Sequence, residues 1–84
     1  MFSDDIKNKF KLIGEVDFAV TMLSRSKIAV SGVKRILHTG QENIRLKLKN
    51  EELFIDGNNL QILEIGGGDV CVEGEIKGVG FEEK

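Results

Sequence analysis

A stretch in the middle of the chain alternates strictly between apolar and basic side chains, and this pattern restricts the possible folds most strongly. Ile44, Leu46 and Leu48 are separated by Arg45 and Lys47. A period of two places the apolar set on one face of a β-strand and the basic set on the other. We therefore expect a strand with one buried face and one solvated face.

The basic face of this strand allows two interpretations. Arg45, Lys47 and Lys49 could form a stripe that binds anions, or they could lie across a hairpin from Glu52 or Asp56. Opposite charges on paired strands are ordinary features of antiparallel sheets. We therefore favour a solvated face with cross-strand ion pairs.

A second pattern occurs at three places in the chain: an apolar pair separated by one residue, then a polar residue, then glycine. The copies begin at Ile28, Leu53 and Val70. Glycine tolerates positive φ and the close approach of another backbone, so the pattern predicts a bulge or tight corner after each strand. We interpret the glycines as structural turn residues with no catalytic role: Gly32, Gly57 and Gly74.

The segments between turn signals are short, and no convincing crossover helix follows residue 14. Short connections favour antiparallel pairing. The sequence therefore predicts an all-β, mainly antiparallel fold, either a small β-sandwich or a partly open barrel of about six or seven short strands. We expect a single domain over residues 1–84, with the β-domain at residues 16–81.

The first 14 residues have a different, helical period. Their apolar positions fall on one side of a helix, opposite lysines and acids, which predicts a short amphipathic N-terminal helix. A frayed tail is the alternative, because so short a helix is marginal without tertiary packing. The apolar side could pack on the sheet of its own chain or form an interface with another protein: Phe2, Ile6, Phe10 and Ile13.

The composition limits how a chain of 84 residues can gain stability. A domain of this size buries only about 60 % of the surface that its unfolded chain exposes. Cys71 is the only cysteine and His38 the only histidine, so an internal disulfide and a cysteine–histidine zinc site are excluded. A protein partner or self-association remains as the expected additional source of stability.

The charges and hydropathy argue against several partners. The net charge is −2 with both signs scattered, so we expect no nucleic-acid partner. No apolar run approaches the roughly 18 residues of a membrane span, and the first residues carry acids where a secretory signal has basic residues. We therefore expect a cytoplasmic protein without direct membrane insertion.

No motif predicts catalysis, a metal site or a cofactor. The glycines at 66–68 are followed by a strand pattern, which favours a hairpin turn over a phosphate-binding loop. His38 is expected to face solvent, and Cys71 to be a packed, unreactive thiol. The acids of the strands form no distinctive pair: Asp56, Glu64, Asp69, Glu73 and Glu75.

Residues 27–81 resemble the YabP/YqfC family of sporulation proteins from spore-forming bacteria. Members of that family share an apolar strand with Gly-Val, a strand led by Ile-x-Leu, a core of the form L-x-I-x-G-x-x-L-x-I and a final V-x-V-x-G-x-I. The matching positions are Gly32, Val33, Ile44, Leu46, Leu48, Leu53, Ile55, Gly57, Leu60, Ile62, Val70, Val72, Gly74 and Ile76.

The resemblance implies a non-enzymatic role in endospore formation within the mother cell, including the forespore surface. It implies work in coat or cortex assembly and a protein partner, such as a membrane-associated sporulation protein, unless the chain associates with itself. It supplies no catalytic residue. A small ligand- or glycan-binding β-domain at the cell or spore envelope is the alternative, and an enzyme ranks third.

Overall fold

The computed structural model describes residues 17–83, which contain six strands and no helix. All six strands belong to one antiparallel sheet with the order β1-β2-β6-β5-β4-β3. The predicted all-β, antiparallel fold is confirmed, whereas the predicted N-terminal helix lies outside the described residues. The strands are β1 (Ala19–Ser24), β2 (Lys27–Ser31), β3 (Arg35–Thr39), β4 (Asn43–Lys47), β5 (Glu51–Gly66) and β6 (Asp69–Glu83).

The last two strands are longer than the short strands expected from the sequence. They have 16 and 15 residues and pair along their whole length. Their register shifts at three irregularities, after Asp56, after Asn58 and after Ile62. Each bulge interrupts the period of two, so one continuous strand looks like several short ones in the sequence.

The β5–β6 hairpin divides the sheet into two halves. In the first half, residues 70–73 of β6 lie between β2 and the end of β5. In the second half, residues 52–56 of β5 lie between β4 and the end of β6. Both long strands therefore run from one half into the other.

Glycines occupy the junction between the halves. Gly74 has a φ of +144°, and a Cβ there would lie 2.7 Å from the carbonyl oxygen of Asn59 and 2.8 Å from the Cα of Leu60. A Cβ at Gly57 would collide with the carbonyl oxygen of Glu75. At this junction, called the bend below, β5 and β6 lie too close together for either glycine to carry a side chain.

The main hydrophobic cluster of the described residues draws on both halves, and a small second cluster consists of Ala29 and Cys71. The aromatic ring of Phe18, just before β1, also contacts the ring of Phe81 near the end of β6. Because all strands belong to one sheet that curls around this core, a partly open barrel describes the architecture better than a two-sheet sandwich. The buried core residues are Ile28, Val30, Val33, Ile44, Leu46, Leu48, Leu53, Ile55, Leu60, Val70 and Val72.

The glycine run forms the turn of the β5–β6 hairpin. Gly66 pairs with Asp69, which leaves Gly67 and Gly68 as a two-residue loop. Their φ values are +58° and +83°. Positive φ at both central residues is the requirement of a type I′ turn. The predicted hairpin turn is confirmed, and the strand that follows is β6.

Candidate interaction surface

The second half of β6 is an open strand edge. β2 pairs with β6 only through residues 70–73, whereas β5 continues to pair with β6 as far as Glu83. Residues 75–83, called the β6 edge below, therefore have no strand on one side among the residues that the structure describes. Such an edge presents backbone N–H and C=O groups to which a further strand can hydrogen-bond.

The β6 edge carries apolar side chains that are only half buried. Val79 lies opposite Ile55, and Phe81 lies opposite Leu53. Cross-strand partners share a face of the sheet, so all four belong to the core face. Ile55 and Leu53 are fully buried, yet Val79 remains 38 % exposed and Phe81 49 % exposed. The core face therefore continues to the surface at this edge.

Charged residues flank the apolar part of the β6 edge. Lys77 and Glu83 are exposed on either side of Val79 and Phe81. Lysine at an edge strand is one of the devices that discourages indiscriminate strand pairing. The edge therefore combines a short apolar segment with a lysine on one side and an acid on the other, and Glu75 and Glu82 are its further acids.

In the second half of the sheet, Arg45 lies on the face opposite the core face and connects several side chains there. Its guanidinium donates hydrogen bonds to Glu52 on β5 and to Glu82 on β6, the latter at 3.3 Å. It also lies 5.7 Å from the ring centroid of Phe54. The hydrogen bond with Glu52 is the main reason that the pKa of Arg45 is raised, and the hydrogen bond with Glu82 raises it further. One cation thus links three neighbouring strands, and Glu52 is only 5 % exposed.

Lys49 and Asn43 also have ordinary polar partners. Lys49 lies 3.5 Å from Asp17, and the amide nitrogen of Asn43 donates to the Asp56 carboxylate at 2.6 Å. The predicted cross-strand pairing of opposite charges is confirmed for Arg45 and Glu52. Asp56, the other acid expected to face the basic strand, binds an amide instead.

A polar cleft of about 620 Å³ lies beside the bend of the long strands. The amide of Asn58 donates to the Glu75 carboxylate at 2.7 Å on its wall. Its lining offers amides, carboxylates and an imidazole, which suit a ligand rich in hydroxyl or amide groups. The lining residues are His38, Gly40, Gln41, Glu42, Asn43, Asn58, Asn59 and Glu75.

The structural glycines lie at two separate places. Gly57 and Gly74 meet at the bend, whereas Gly32 follows β2 with a φ of +85°. A Cβ on Gly32 would come within 2.7 Å of the Cα of Phe18. Gly32 therefore allows the chain to enter β1 in close contact with the end of β2. The predicted interface residues lie outside the described part of the chain: Phe2, Ile6, Phe10 and Ile13.

The remaining residues singled out in the sequence are dispersed. Cys71 is a free, buried thiol packed beside Ala29. His38 is exposed at the rim of the polar cleft. Within residues 17–83, no three or more His, Cys, Asp or Glu side chains converge as a metal site would require.

Sequence reasoning missed the exposed residues of the β6 edge. Val79 and Phe81 alternate with Gly78 and Gly80, so the period of two predicts a buried face as it does elsewhere. Only the sheet order reveals that no described strand covers them. Gly78 and Gly80 were the one indication in the sequence that this strand differs from the others, because glycine within a strand often marks a close backbone approach.

These features define a class of protein: an all-β domain of one curled antiparallel sheet with an open, partly apolar strand edge. The model of the YabP family matches residues 15–84, and the chain belongs to that family. The family is linked to sporulation. No curated protein and no solved structure matches the sequence. A search of the described residues for a helix suited to crossing a bilayer finds none.

Proposed function

We propose that this protein is a non-catalytic structural or adaptor module in the assembly of the spore coat or cortex. Membership of the YabP family over residues 15–84 is the observation that carries the link to sporulation. The protein acts through protein–protein contact. Its place of action is the cytoplasm of the mother cell, at the forespore surface.

The β6 edge supports a role in protein contact. An exposed strand edge binds a further strand through main-chain hydrogen bonds, while neighbouring side chains supply specificity. Val79 and Phe81 provide the apolar contacts, and Lys77 and Glu83 provide charges of opposite sign. Such a surface suits another protein, including a membrane-associated sporulation protein. It offers no basic patch for nucleic acid.

Deletion of the gene in a spore-forming host tests this function. We expect fewer heat-resistant spores and a defective coat or cortex, with recovery when the wild-type chain is restored. A Phe81→Lys chain should fail to restore the spores, because it places a charge within the apolar part of the β6 edge. The matched control is Leu37→Lys on β3, where the side chain is 39 % exposed and distant in the sheet order.

Unchanged spore yield, coat and heat resistance after deletion would contradict the proposed function. Full rescue by the Phe81→Lys chain would contradict the role of the β6 edge within it. Circular dichroism of both purified variants establishes that each is folded before the two rescues are compared.

The polar cleft favours a second candidate function, the binding of a glycan at the cell or spore envelope. Asn58 and Glu75 present an amide and a carboxylate that can hydrogen-bond sugar hydroxyls. Isothermal titration with oligomers of N-acetylglucosamine tests this function. It predicts a binding heat that Asn58→Ala reduces, and an absence of heat with the wild-type protein would contradict it.

A further inference from the structure

We propose that a second copy of this chain pairs with the β6 edge, antiparallel and about a two-fold axis at Gly80. This inference rests on the proposed function and deepens it by naming the partner of the same edge. The two sheets then become continuous across the pair of copies. Each copy contributes the same surface, as in most homodimers.

The residues of the β6 edge are self-complementary in this register. In an antiparallel pair centred on Gly80, Val79 of each copy lies opposite Phe81 of the other. Lys77, the extra residue of the bulge at Asp56 and Gly57, comes beside Glu83 of the other copy, and Gly78 lies opposite Glu82. The register therefore forms two apolar pairs and two pairs of opposite charge, both of which stabilise an antiparallel ladder.

Neighbouring registers are less favourable. A pair centred on Val79 places Glu75 opposite Glu83, and like charges directly opposite each other are destabilising. A pair centred on Gly78 places Glu75 opposite Phe81, which sets a carboxylate against an aromatic ring. Only the register centred on Gly80 keeps the apolar residues together and pairs both lysines with acids.

The local structure of the β6 edge leaves its apolar side chains accessible. A Cβ at Gly78 would find no atom within 4 Å, so the face of the sheet is open there, whereas the ring of Phe54 covers that face at Gly80. Val79 and Phe81, at 38 % and 49 % exposure, have apolar surface that a second strand would cover. Phe81 is already held on one side by the ring of Phe18. Its exposed surface is therefore positioned before the second copy binds.

The charged pair gives a test that is specific for the register. We would measure the mass of the full chain by sedimentation equilibrium over a concentration series, together with Lys77→Glu, Glu83→Lys and the chain carrying both substitutions. Each single substitution converts two attractive pairs into repulsive ones, which should raise the dimer Kd by about 2- to 30-fold. The double substitution restores opposite charges and should return the Kd close to that of the wild type.

Lys34→Glu is the matched control for Lys77→Glu. It makes the same change of charge at an exposed position between β2 and β3, so the dimer Kd should not change beyond the effect of net charge. Val79→Lys serves as an independent variant, which should abolish association while circular dichroism shows an intact sheet. It keeps the test decisive if a charge substitution unfolds the chain.

A wild-type chain that stays monomeric at every concentration would overturn the pairing. So would a dimer whose Kd is unaffected by the single substitutions, or is not recovered by the double substitution. A monomeric chain that still restores heat-resistant spores overturns this pairing and leaves the proposed function standing. The dimer Kd could respond to the charge substitutions as expected while deletion of the gene has no effect on spores. That combination overturns the proposed function and leaves the pairing standing.

Discussion

The ring of Phe18 packs against the ring of Phe81, with centroids 5.5 Å apart and planes inclined by 45°. Phe18 leads into β1, which ends the sheet order, whereas Phe81 belongs to the second half of β6. A flat sheet would keep these positions apart because β2 lies between the two strands. The contact therefore brings the start of β1 beside the open β6 edge.

The aromatic contact should contribute to stability beyond the area that each ring buries. In a double-mutant cycle of Phe18→Ala and Phe81→Ala, we expect a coupling free energy of about 0.5–1.5 kcal/mol. Urea denaturation of the four proteins measures it. Strictly additive losses would contradict a direct contribution of this contact to stability.

Substitution at the bend should be far more damaging than substitution at the neighbouring turn. Gly74→Ala places a methyl group against the backbone of Asn59 and Leu60, and we expect a loss of about 1–3 kcal/mol in the free energy of unfolding. Gly66→Ala is the control, because a Cβ there would meet nothing within 4 Å. Its effect should stay within about 0.5 kcal/mol by urea denaturation. Equal losses in the two variants would contradict the crowded bend.

Arg45 should stabilise the second half of the sheet mainly through Glu52. Arg45→Met removes a charged hydrogen bond from a carboxylate that is only 5 % exposed, and we expect a clear fall in the midpoint of thermal unfolding. Glu82→Gln affects the exposed partner of the same arginine and should cost about 0.5 kcal/mol or less. Thermal unfolding followed by circular dichroism compares them. A greater loss from Glu82→Gln would show that the exposed pair is the important one.

Removal of residues 1–14 tests which of two candidate surfaces forms the dimer interface. The sequence predicts one at Phe2, Ile6, Phe10 and Ile13, whereas the structure places an open edge at the other end of the chain. We expect the truncated chain to keep the dimer, because the strand pairing uses only residues 75–83. Light scattering over a concentration series measures this. Conversion to a monomer on truncation would move the interface to the N-terminal residues.

Local features of the fold could be predicted from the sequence because short-range physics determines them. The alternation of Ile44, Leu46 and Leu48 identifies a strand and its buried face, and the observed strand β4 has that face in the core. The hairpin turn at Gly67 and Gly68 follows from the need for positive φ. The pairing of Arg45 with Glu52 follows from opposite charges on consecutive strands.

The pairing of β2 with β6 and the location of the open edge could not be predicted in this way. A period of two indicates which side chains share a face, but it does not identify the neighbouring strand. Ala29 and Cys71 are far apart in sequence and lie opposite each other only because β6 returns beside β2. The exposure of Val79 and Phe81 depends on this non-local pairing, since β2 covers β6 only as far as Glu73.

The most direct test of the β6 edge as a protein contact is hydrogen exchange at rising protein concentration, followed by mass spectrometry. Pairing with a second copy should slow exchange in peptides that cover residues 75–83, because their free amides gain hydrogen bonds. Peptides from the opposite edge of the sheet, β3 at Arg35–Thr39, should exchange at a rate independent of concentration. Exchange in residues 75–83 that does not change with concentration, or protection that appears at β3 instead, would contradict the proposed pairing.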